Sequence, residues 1–382
     1  MQHFKRMFKM RRKVLLTAAL LGSIASTAHA QSSVTLYGLV DSAIGYTSNM
    51  GSTNGHINHG IQALPGAMSA NRWGLLGFED IGGGTQATFR LENGFNIQNG
   101  ALGQGGRMFG RSAYVGLVNN SWGTVTAGRQ YMPFQEDVGN EMAALYMSGY
   151  TFHPYDSDDM NATFRPNNAI KYTTPTIAGF TAKALYAFSN LPGQINTNRL
   201  WSGSADYVNG PVRLDAGFFT VTQPGYSTAG AEASDNTYGA LPTIAAGGIA
   251  KHTVWGAGGT YTFGSVLASV IYTNAAFDAT VGGALKFNNY ETSLRYQVTP
   301  ATVLTAAYLY TTQRSTVAAG GNTHYNQGAL GINYFLSKTT DLYSNVVYQK
   351  AAGTAHAWIL NGTAASSNNS QFMALVGIRK KF

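Results

Sequence analysis

Apolar and polar side chains alternate along segments of about ten residues over most of this chain. In one such segment, Leu342, Val346 and Tyr348 fall on one face of an extended chain, while Asn345 and Gln349 fall on the other. The reason is that successive side chains of a β-strand point to opposite sides. A strand needs one apolar and one polar face when lipid covers one side and water the other. The pattern therefore predicts a transmembrane barrel built from β-strands.

Sixteen strands are predicted, and the connections between them alternate strictly between tight turns and long polar loops. Tight turns at one rim and long loops at the other are typical of outer-membrane barrels. An even number of strands lets the last strand pair with the first, so that no sheet edge faces lipid. The expected fold is all-β: a closed, antiparallel transmembrane β-barrel that forms a single domain over residues 31–382. The predicted strands lie near residues 33–48, 69–80, 84–96, 107–119, 121–130, 165–175, 178–189, 199–209, 211–222, 251–263, 265–275, 284–298, 301–313, 323–337, 339–351 and 369–382.

A soluble β-sandwich is the alternative fold for a chain of alternating strands. Its apolar faces would pack against each other, and it would have no use for so many outward aromatic side chains. The composition includes 46 Gly, 22 Tyr and 19 Phe. These residues fit the many turns of a barrel and its aromatic belts at the two membrane interfaces. The barrel is therefore the favoured fold.

The first thirty residues have the organisation of a secretory signal peptide. Six basic residues precede an apolar stretch at residues 14–24, and Ala28-His29-Ala30 then offers a cleavage site before Gln31. The apolar stretch is too short to cross a bilayer comfortably as a helix. Residues 1–30 are therefore predicted to be cleaved on export, and the strands that follow indicate the cell outer membrane as the destination.

The charge of the chain changes once this signal is set aside. The sequence has 25 Lys and Arg against 17 Asp and Glu, and residues 1–30 contain six of the basic residues and none of the acidic ones. The remainder is 19 basic and 17 acidic residues, a net charge of +2. This balance gives no support to a nucleic-acid partner, which would need a basic face on the folded domain. The absence of cysteine excludes disulfides and thiolate metal sites.

The segment 131–164 is too long for a simple connection. A barrel of about sixteen strands encloses an aqueous channel, and long loops in compact domains are usually functional. We expect this loop to fold into the lumen and constrict it, although a solvated surface loop is the alternative. The loop contains six acidic residues, namely Glu136, Asp137, Glu141, Asp156, Asp158 and Asp159.

Basic residues occupy inward positions on the predicted wall. A row of arginines facing an acidic loop would create a strong transverse field in a water-filled constriction, which orients solutes and biases ion passage. An alternative role is to hold the loop by salt bridges, and this is the favoured interpretation for Arg129, at the root of the loop. Asp137 and Glu141 are the expected acidic counterparts, and Asp137 could also anchor the loop. The predicted wall residues are Arg72, Arg90 with Glu92, Arg111, Arg129 and Arg165.

Several short motifs appear in order along the chain. Together they resemble the Gram-negative general-diffusion porins, especially those of beta-proteobacteria, and the likeness spans the mature chain. The motifs are Ser33-Val34-Thr35-Leu36-Tyr37-Gly38, Arg72-Trp73-Gly74-Leu75, Leu91-Glu92-Asn93-Gly94-Phe95, Ala113-Tyr114-Val115-Gly116-Leu117, Gly123-Thr124-Val125-Thr126-Ala127-Gly128-Arg129-Gln130-Tyr131, Ser337-Lys338-Thr339-Thr340-Asp341-Leu342-Tyr343 and the terminal Phe382.

The resemblance implies a homotrimer of sixteen-stranded barrels in which the third extracellular loop folds into the pore. Eyelet arginines of the family match Arg72, Arg111 and Arg165, and the facing carboxylates would include Glu141. The first strand of the family often carries a basic lumen residue, whereas Leu39 holds that position here. This departure argues against a strong anion preference. The implied function is passive diffusion of small hydrophilic solutes and ions.

The last strand ends at Phe382, with Phe372, Val376 and Ile378 on the same face. A terminal strand of this kind resembles the signal that the outer-membrane barrel-assembly machinery reads. Lys380 stands on the outward face where an aromatic residue is more usual, and near the interface a lysine can extend its charge to water. The expected partners are outer-membrane lipid, this machinery and two further copies of the chain. A simple interfacial anchor is the other interpretation of Phe382.

Residues for enzyme chemistry are poorly represented. The histidines beyond residue 30 fall in predicted loops or at strand ends, and no Ser–His pair with an orienting group is visible. His56 and His59 lack a nearby carboxylate, and Asp156-Ser157-Asp158-Asp159 lacks the Gly and distant Glu of a calcium loop. We therefore expect no enzyme, metal or cofactor. A substrate-selective channel and a barrel adhesin stay open as alternatives, and an outer-membrane hydrolase is less favoured.

Overall fold

The computed structural model describes residues 32–53, 56–232, 238–241, 248–317, 321–353, 355–359 and 364–382. The predicted signal peptide lies outside these residues, so its cleavage stays a prediction. No helix in the described part of the chain is long and apolar enough to cross a membrane. The described strands are β1 (Ser33–Thr47), β2 (Ser52–Thr53), β3 (His56–Ile57), β4 (Gly60–Pro65), β5 (Arg72–Gly82), β6 (Thr85–Gly94), β7 (Ser112–Asn119), β8 (Gly123–Arg129), β9 (Ala169–Thr173), β10 (Phe180–Ala187), β11 (Leu200–Asn209), β12 (Val212–Thr222), β13 (Ile249–Phe263), β14 (Val266–Ala279), β15 (Ala284–Thr299), β16 (Thr302–Ser315), β17 (Thr323–Phe335), β18 (Thr340–Ala351) and β19 (Ser370–Lys381).

The strands form a closed antiparallel barrel, as the alternation predicts. Each strand from β5 to β19 pairs with its neighbour in the chain, and β1 closes the ring by pairing with β19 from Leu39 opposite Lys381 to Thr47 opposite Met373. Strands β4 and β5 pair with different halves of β1, so together they make one wall strand. Counted in this way, the wall has the sixteen strands that were predicted. The separate hairpin of β2 and β3 lies in the first long loop.

Strand β4 lies between the first two predicted strands, 33–48 and 69–80, where no strand was predicted. Its alternation is short, and Pro65-Gly66 ends it, so the sequence pattern gives little signal. The interruption at residues 66–71 folds over Asp41, whose carboxylate accepts the Ser69 N–H at 2.9 Å. The N–H of Asp41 in turn donates to the side-chain oxygen of Asn71 at 2.5 Å. The break in the strand is therefore held by hydrogen bonds to β1.

The two faces of the wall differ as the pattern predicts. Outward side chains such as Val270, Leu294 and Leu330 are exposed, while inward ones such as Asn289 and Gln327 are buried and polar. Wall height varies around the ring. Strands β7 to β10 have five to eight residues and form a low wall, whereas β13 to β16 have 14 to 16 and form a tall wall.

The third long loop, between β8 and β9, folds into the lumen. It contains helix α1 (Pro133–Asp137) and three 3₁₀ turns at Val138–Glu141, Ala143–Leu145 and Pro154–Asp156. Pro133 suits the first helical position because its missing N–H would have no partner there, and the Gln135 side chain accepts the Met132 N–H at 3.1 Å. Phe134 is fully buried with its ring 5.7 Å from that of Phe219 on β12. The inward fold of this loop is thus confirmed.

Candidate functional site

A buried carboxylate organises the arginines of the wall. Glu92 on β6 is only 1% exposed. Its Oε2 accepts hydrogen bonds from the Tyr37 hydroxyl at 2.8 Å and from Arg90 Nη2 at 2.7 Å, and its Oε1 accepts one from Arg111 Nε at 2.6 Å. Hydrogen bonds between ionised partners are among the stronger ones in proteins. Glu92 therefore fixes Arg90 and Arg111 in place and is itself withdrawn from the lumen.

Tyr131, at the start of the inward loop, links the guanidinium group of Arg111 to that of Arg165. Its hydroxyl accepts hydrogen bonds from Arg111 Nη2 at 2.5 Å and from Arg165 Nη2 at 2.9 Å. The guanidinium of Arg165 also lies 4.6 Å from the centre of the Tyr131 ring, within the range of a cation–π contact. Burial alone would raise the pKa of Tyr131, but the positive charges of Arg111 and Arg165 outweigh burial and lower it. Tyr131 is absent from the predicted set of site residues, although it closes one of the motifs that carry the resemblance.

Arg72, Arg111 and Arg165 are among the residues that line one cavity of about 1250 Å³ in the lumen, and Lys183 is another. Arg72 makes its hydrogen bond to the carbonyl of Ala70 at 3.4 Å. Glu136 of helix α1 lines the same cavity, and its side chain is 31% exposed. The three predicted arginines therefore lie together, with a loop carboxylate on the same water-accessible space.

Arg129, at the root of the inward loop, bonds both to the far end of that loop and to the preceding long loop. Its Nε donates to the Gly110 carbonyl at 2.8 Å, and its Nη1 donates to the Arg165 carbonyl at 2.7 Å and to Asn167 Oδ1 at 2.6 Å. These bonds tie the root of the loop to the end of the preceding long loop. The geometry matches the loop-holding interpretation better than an exposed charge in the channel.

Asp137 and Glu141 do not face the arginine row, contrary to the expectation. Asp137 accepts hydrogen bonds from Lys183 Nζ and the Ser204 hydroxyl, each at 2.5 Å. Glu141 lies 2.9 Å from Arg213 Nε on β12. The reason is the packing of Phe134 on β12, which turns this end of the loop toward β10 to β12.

Three cations on that wall are missing from the predicted set. They are Lys171 on β9, Lys183 on β10 and Arg213 on β12. Lys171 Nζ donates to Glu136 Oε1 at 2.6 Å, and Arg213 also binds Asp215 through two hydrogen bonds. The inward parity of their strands was the available signal, since it places all three on the polar face.

Glu141 and Asp215, the two acidic partners of Arg213, lie close to each other. Burial is the main cause that raises the pKa of Glu141 to about 8, and a hydrogen bond with Asp215 adds to it. Arg213 acts in the opposite direction but does not outweigh these effects. Glu141 therefore takes up a proton near neutral pH, and the charge of the loop on this side changes with it.

A buried histidine attaches the far part of the loop to the tall wall. His153 Nδ1 lies 2.7 Å from Asp158 Oδ2, and His153 Nε2 lies 3.3 Å from Glu291 Oε2 on β15. Glu291 Oε1 also accepts the Ala143 N–H at 2.6 Å, and the Thr273 hydroxyl on β14 donates to Asp158 at 2.5 Å. Burial lowers the pKa of His153, but Asp158 and Glu291 outweigh it and raise the pKa to about 10. The imidazole is therefore charged at neutral pH.

The acidic run after His153 folds the loop itself. Asp156 accepts the Asn161 N–H and Asp159 accepts the Thr163 N–H, each at 2.9 Å. Among the residues that the structure describes, no group of three or more His, Cys, Asp or Glu side chains is placed to hold a metal ion. The carboxylates of Asp156 and Asp159 thus satisfy backbone N–H groups of the loop.

Phe382 lies where the barrel closes. Its backbone exchanges two hydrogen bonds with Gly38 of β1, at 2.9 and 3.0 Å. A Cβ at Gly38 would lie 2.5 Å from the Phe382 ring, so the glycine makes room for it. The residue as a whole is 54% exposed.

Comparisons with known proteins agree with this geometry. A family model described as Gram-negative porin matches residues 16–354. An outer membrane porin protein of Bordetella pertussis is 31% identical, over 89% of this chain and 94% of that protein. Outer membrane porin protein 32 of Delftia acidovorans is 28% identical, over 97% of this chain and 100% of that protein.

Solved structures show the same architecture. An anion-selective porin from Comamonas acidovorans superposes with a TM-score of 0.74 at 25% identity, over 92% of this chain and 100% of that one. OmpF of Salmonella typhi superposes with a TM-score of 0.61 at 17% identity, over 91% of this chain and 97% of that one, a likeness of fold alone. The barrel fold is therefore shared with solved proteins.

Proposed function

The chain belongs to the Gram-negative porin family, and we propose that Arg72, Arg111 and Arg165 set the constriction of its channel together with the inward loop. It is an outer-membrane porin that lets small hydrophilic solutes and ions diffuse passively. The observation that carries the proposal is the shared cavity, in which the three arginines and Glu136 line one water-accessible space. Fixed charges in a narrow, partly dehydrated passage act on every ion that crosses it.

The charge balance around this space favours a modest anion preference. Arg72, Arg90, Arg111 and Arg165 are accompanied by the buried carboxylate of Glu92 and by the partly exposed carboxylate of Glu136, which is paired with Lys171. Asp137 and Glu141 are bonded to cations of the opposite wall, so they contribute little net negative charge. The related Comamonas protein is described as anion-selective. Leu39, which is buried in the wall, adds no positive charge, so we propose a preference of moderate strength.

Proteoliposome swelling and planar-bilayer recordings test the channel itself. Swelling rates should fall steadily as the sugar grows larger, and conductance should not saturate in millimolar sugar, because a wide wet pore binds solutes weakly. Liposomes with an unrelated lipid-anchored protein serve as the control for leakage. Tight saturation by one sugar or anion would instead support a substrate-selective channel. Liposomes that stay impermeable would support the adhesin.

We propose that the chain has no catalytic role. Both ring nitrogens of His153 face carboxylates, those of Asp158 and Glu291. The ring nitrogens of His252 face the Tyr238 hydroxyl and the Ser157 carbonyl, each at 3.0 Å. A general base needs a free nitrogen directed at a nucleophile or substrate. The two deeply buried histidines of the described chain thus have structural partners.

A homotrimer is proposed from the height of the wall. A tilted strand of eight residues covers roughly 20 Å of membrane, less than the apolar band of about 25 Å in outer-membrane barrels. Strands β7 to β10 are no longer than this. The low wall is therefore better covered by another subunit than by lipid, and three low walls that meet around one axis would all be covered.

Phe382 is proposed as part of the signal for the barrel-assembly machinery. Its ring is exposed at the outer surface while its backbone completes the closing pair of strands. Both features suit a residue that is recognised before closure and then anchors the rim at the membrane interface.

Assembly is tested by chemical cross-linking of purified protein and of a chain that lacks Phe382. We expect the complete chain to cross-link as three copies and to lose this form on heating. The shortened chain should give several-fold less folded trimer in the outer membrane, since it lacks both the closing hydrogen bonds and the terminal ring. Phe372→Ala, which removes an outward aromatic ring at the other end of β19, is the control. A monomeric cross-linked mass, or equal yields from the two chains, would contradict the proposal.

A further inference from the structure

We propose that the outer face of the tall wall binds the phosphate groups of an anionic lipid of the outer leaflet. Lys286 on β15 and Arg314 on β16 stand directly opposite each other, and both are exposed on the outward face near the long-loop rim. Neither side chain has a hydrogen bond or ion pair within the described part of the chain. Like charges directly opposite each other on a sheet are destabilising, and an anion between them would reverse that effect.

The acidic residues near this pair leave its charge uncompensated. On the neighbouring strand, Asp278 is the outward carboxylate, and it stands directly opposite Lys251. The residue opposite Lys286 on that strand is Ala276. Lys350 on β18 adds a further exposed, outward cation at the same rim. The long-loop rim of strands β13 to β18 therefore presents net positive charge to the membrane surface.

A row of tyrosines fixes the depth of these cations in the membrane. Tyr272, Tyr290 and Tyr310 are opposite one another on β14, β15 and β16, with ring centres 5.0 and 6.2 Å apart. Tyrosine is enriched where the hydrocarbon meets the headgroups. Lys286 and Arg314 lie four residues from Tyr290 and Tyr310 on the same faces, about 13 Å along the strands. This distance places the cations among the headgroups, where lipid phosphates are found.

Between the tyrosine row and the two cations, the outer face carries polar side chains that are hydrogen-bonded to one another. Asn274 Nδ2 donates to Asn288 Oδ1 at 2.8 Å, and Asn288 Nδ2 donates to the Thr312 hydroxyl at 3.2 Å. Amide groups on the outer face are unfavourable in hydrocarbon, where no water satisfies them. Their presence supports a polar environment at this level, and they offer additional groups to a polar headgroup.

An apolar groove lies toward the membrane centre from the same tyrosine row. It has a volume of about 500 Å³, and Leu294, Tyr308 and Leu330 are among its lining residues. Its floor includes Gly328 on β17, where an added Cβ would meet no atom within 4 Å. One lipid would match both features. Its acyl chain would lie in the groove, and its phosphorylated headgroup would lie at the two cations nearer the long-loop rim. The low wall proposed for subunit contacts involves other strands, so this face stays open to lipid.

The test uses a diphosphorylated lipid A as the probe and native mass spectrometry of the folded protein in detergent. Replacement of both cations, Lys286→Gln with Arg314→Gln, should weaken binding about tenfold, which corresponds to about 1.4 kcal/mol. Lys338→Gln with Lys380→Gln removes two positive charges at the opposite rim and should leave binding within a factor of about two. The wild type should prefer the diphosphorylated lipid over the same lipid without phosphates.

Two further measurements test the groove and the phosphate contact separately. Gly328→Phe fills the groove while it keeps both cations, and it should weaken lipid binding without a change in channel conductance. Inorganic phosphate at millimolar concentration should not displace the lipid. Equal binding by the double variant, equal binding of the phosphate-free lipid, or full displacement by free phosphate would each overturn the proposal. Conductance measured on the same variants keeps this result separate from the pore, because these residues face outward.

Discussion

Replacement of Arg72, Arg111 and Arg165 together by Ser is expected to shift the reversal potential of the channel strongly toward cations. The change leaves Glu92 with Arg90 as its remaining guanidinium partner and leaves Glu136 on the cavity without the facing positive charges. At an effective dielectric constant of 20, one charge about 4 Å from an ion changes its energy by about 4 kcal/mol, well above thermal energy. The ratio of anion to cation permeability should therefore change by roughly tenfold or more in a dilute salt gradient. Conductance should rise, because serine side chains fill less of the channel than arginine side chains do.

A matched variant controls for total charge. Replacement of Lys286, Arg314 and Lys350 by Ser removes the same number of positive charges from the outer face, and it should leave the reversal potential unchanged. In molar salt, where the Debye length falls to about 3 Å, the shift in the triple arginine variant should shrink. Trimer yield shows that the variants assemble. An unchanged reversal potential in the arginine variant at low salt would place the constriction elsewhere.

Removal of the buried imidazole in His153→Ala should release the inward loop from the tall wall. The variant leaves Asp158 and Glu291 as buried carboxylates without their shared cation. Loss of one partner from a buried ion pair typically costs about 3 to 5 kcal/mol. The folded barrel should therefore melt at a lower temperature, and single-channel recordings should show a higher and noisier conductance as the loop moves. His324→Ala, an exposed histidine on the outer face, is the control.

The pH dependence of the melting temperature gives a second measurement for His153. Its pKa of about 10 in the folded protein lies above the value of about 6.5 for a free histidine. Its contribution to stability is thus complete below about pH 6.5 and is lost as the pH rises through about 10. Wild-type stability should fall over this interval, and His153→Ala should lack that part of the fall. Identical pH profiles and identical channel noise in the two proteins would show that His153 does not hold the loop.

The wall could be predicted from the sequence because period-two alternation is a local signal. The same logic placed Arg72 and Arg111 on the inward face, which is where they lie on the lumen cavity. Strand β4 escaped prediction because its six residues, which end at Pro65, carry too little periodicity. A short strand of this kind is defined by its partner β1 rather than by its own pattern.

The contacts of the inward loop could not be predicted, because they depend on the path that the loop takes. Lys183 was already on a polar face, yet its bond to Asp137 requires that helix α1 pack on β11 and β12. His153 and Glu291 are far apart in sequence, and neither has a motif that indicates the other. The loop acids were therefore assigned to the wrong wall, while the fold of the loop into the lumen was predicted from its length.

The pairing of Phe382 with Gly38 has a consequence for the order of folding. Strand β1 can pair early with β4 and β5, which are close in the chain, but its other side has to wait for β19. Until the final residue is in place, β1 and β19 each present a row of unpaired backbone groups, the feature that makes sheet edges prone to aggregation. Contacts between distant parts of a chain also form slowly, because the entropy of loop closure comes first. The incomplete barrel is thus the vulnerable species, and its lifetime is set by the closing of this single seam.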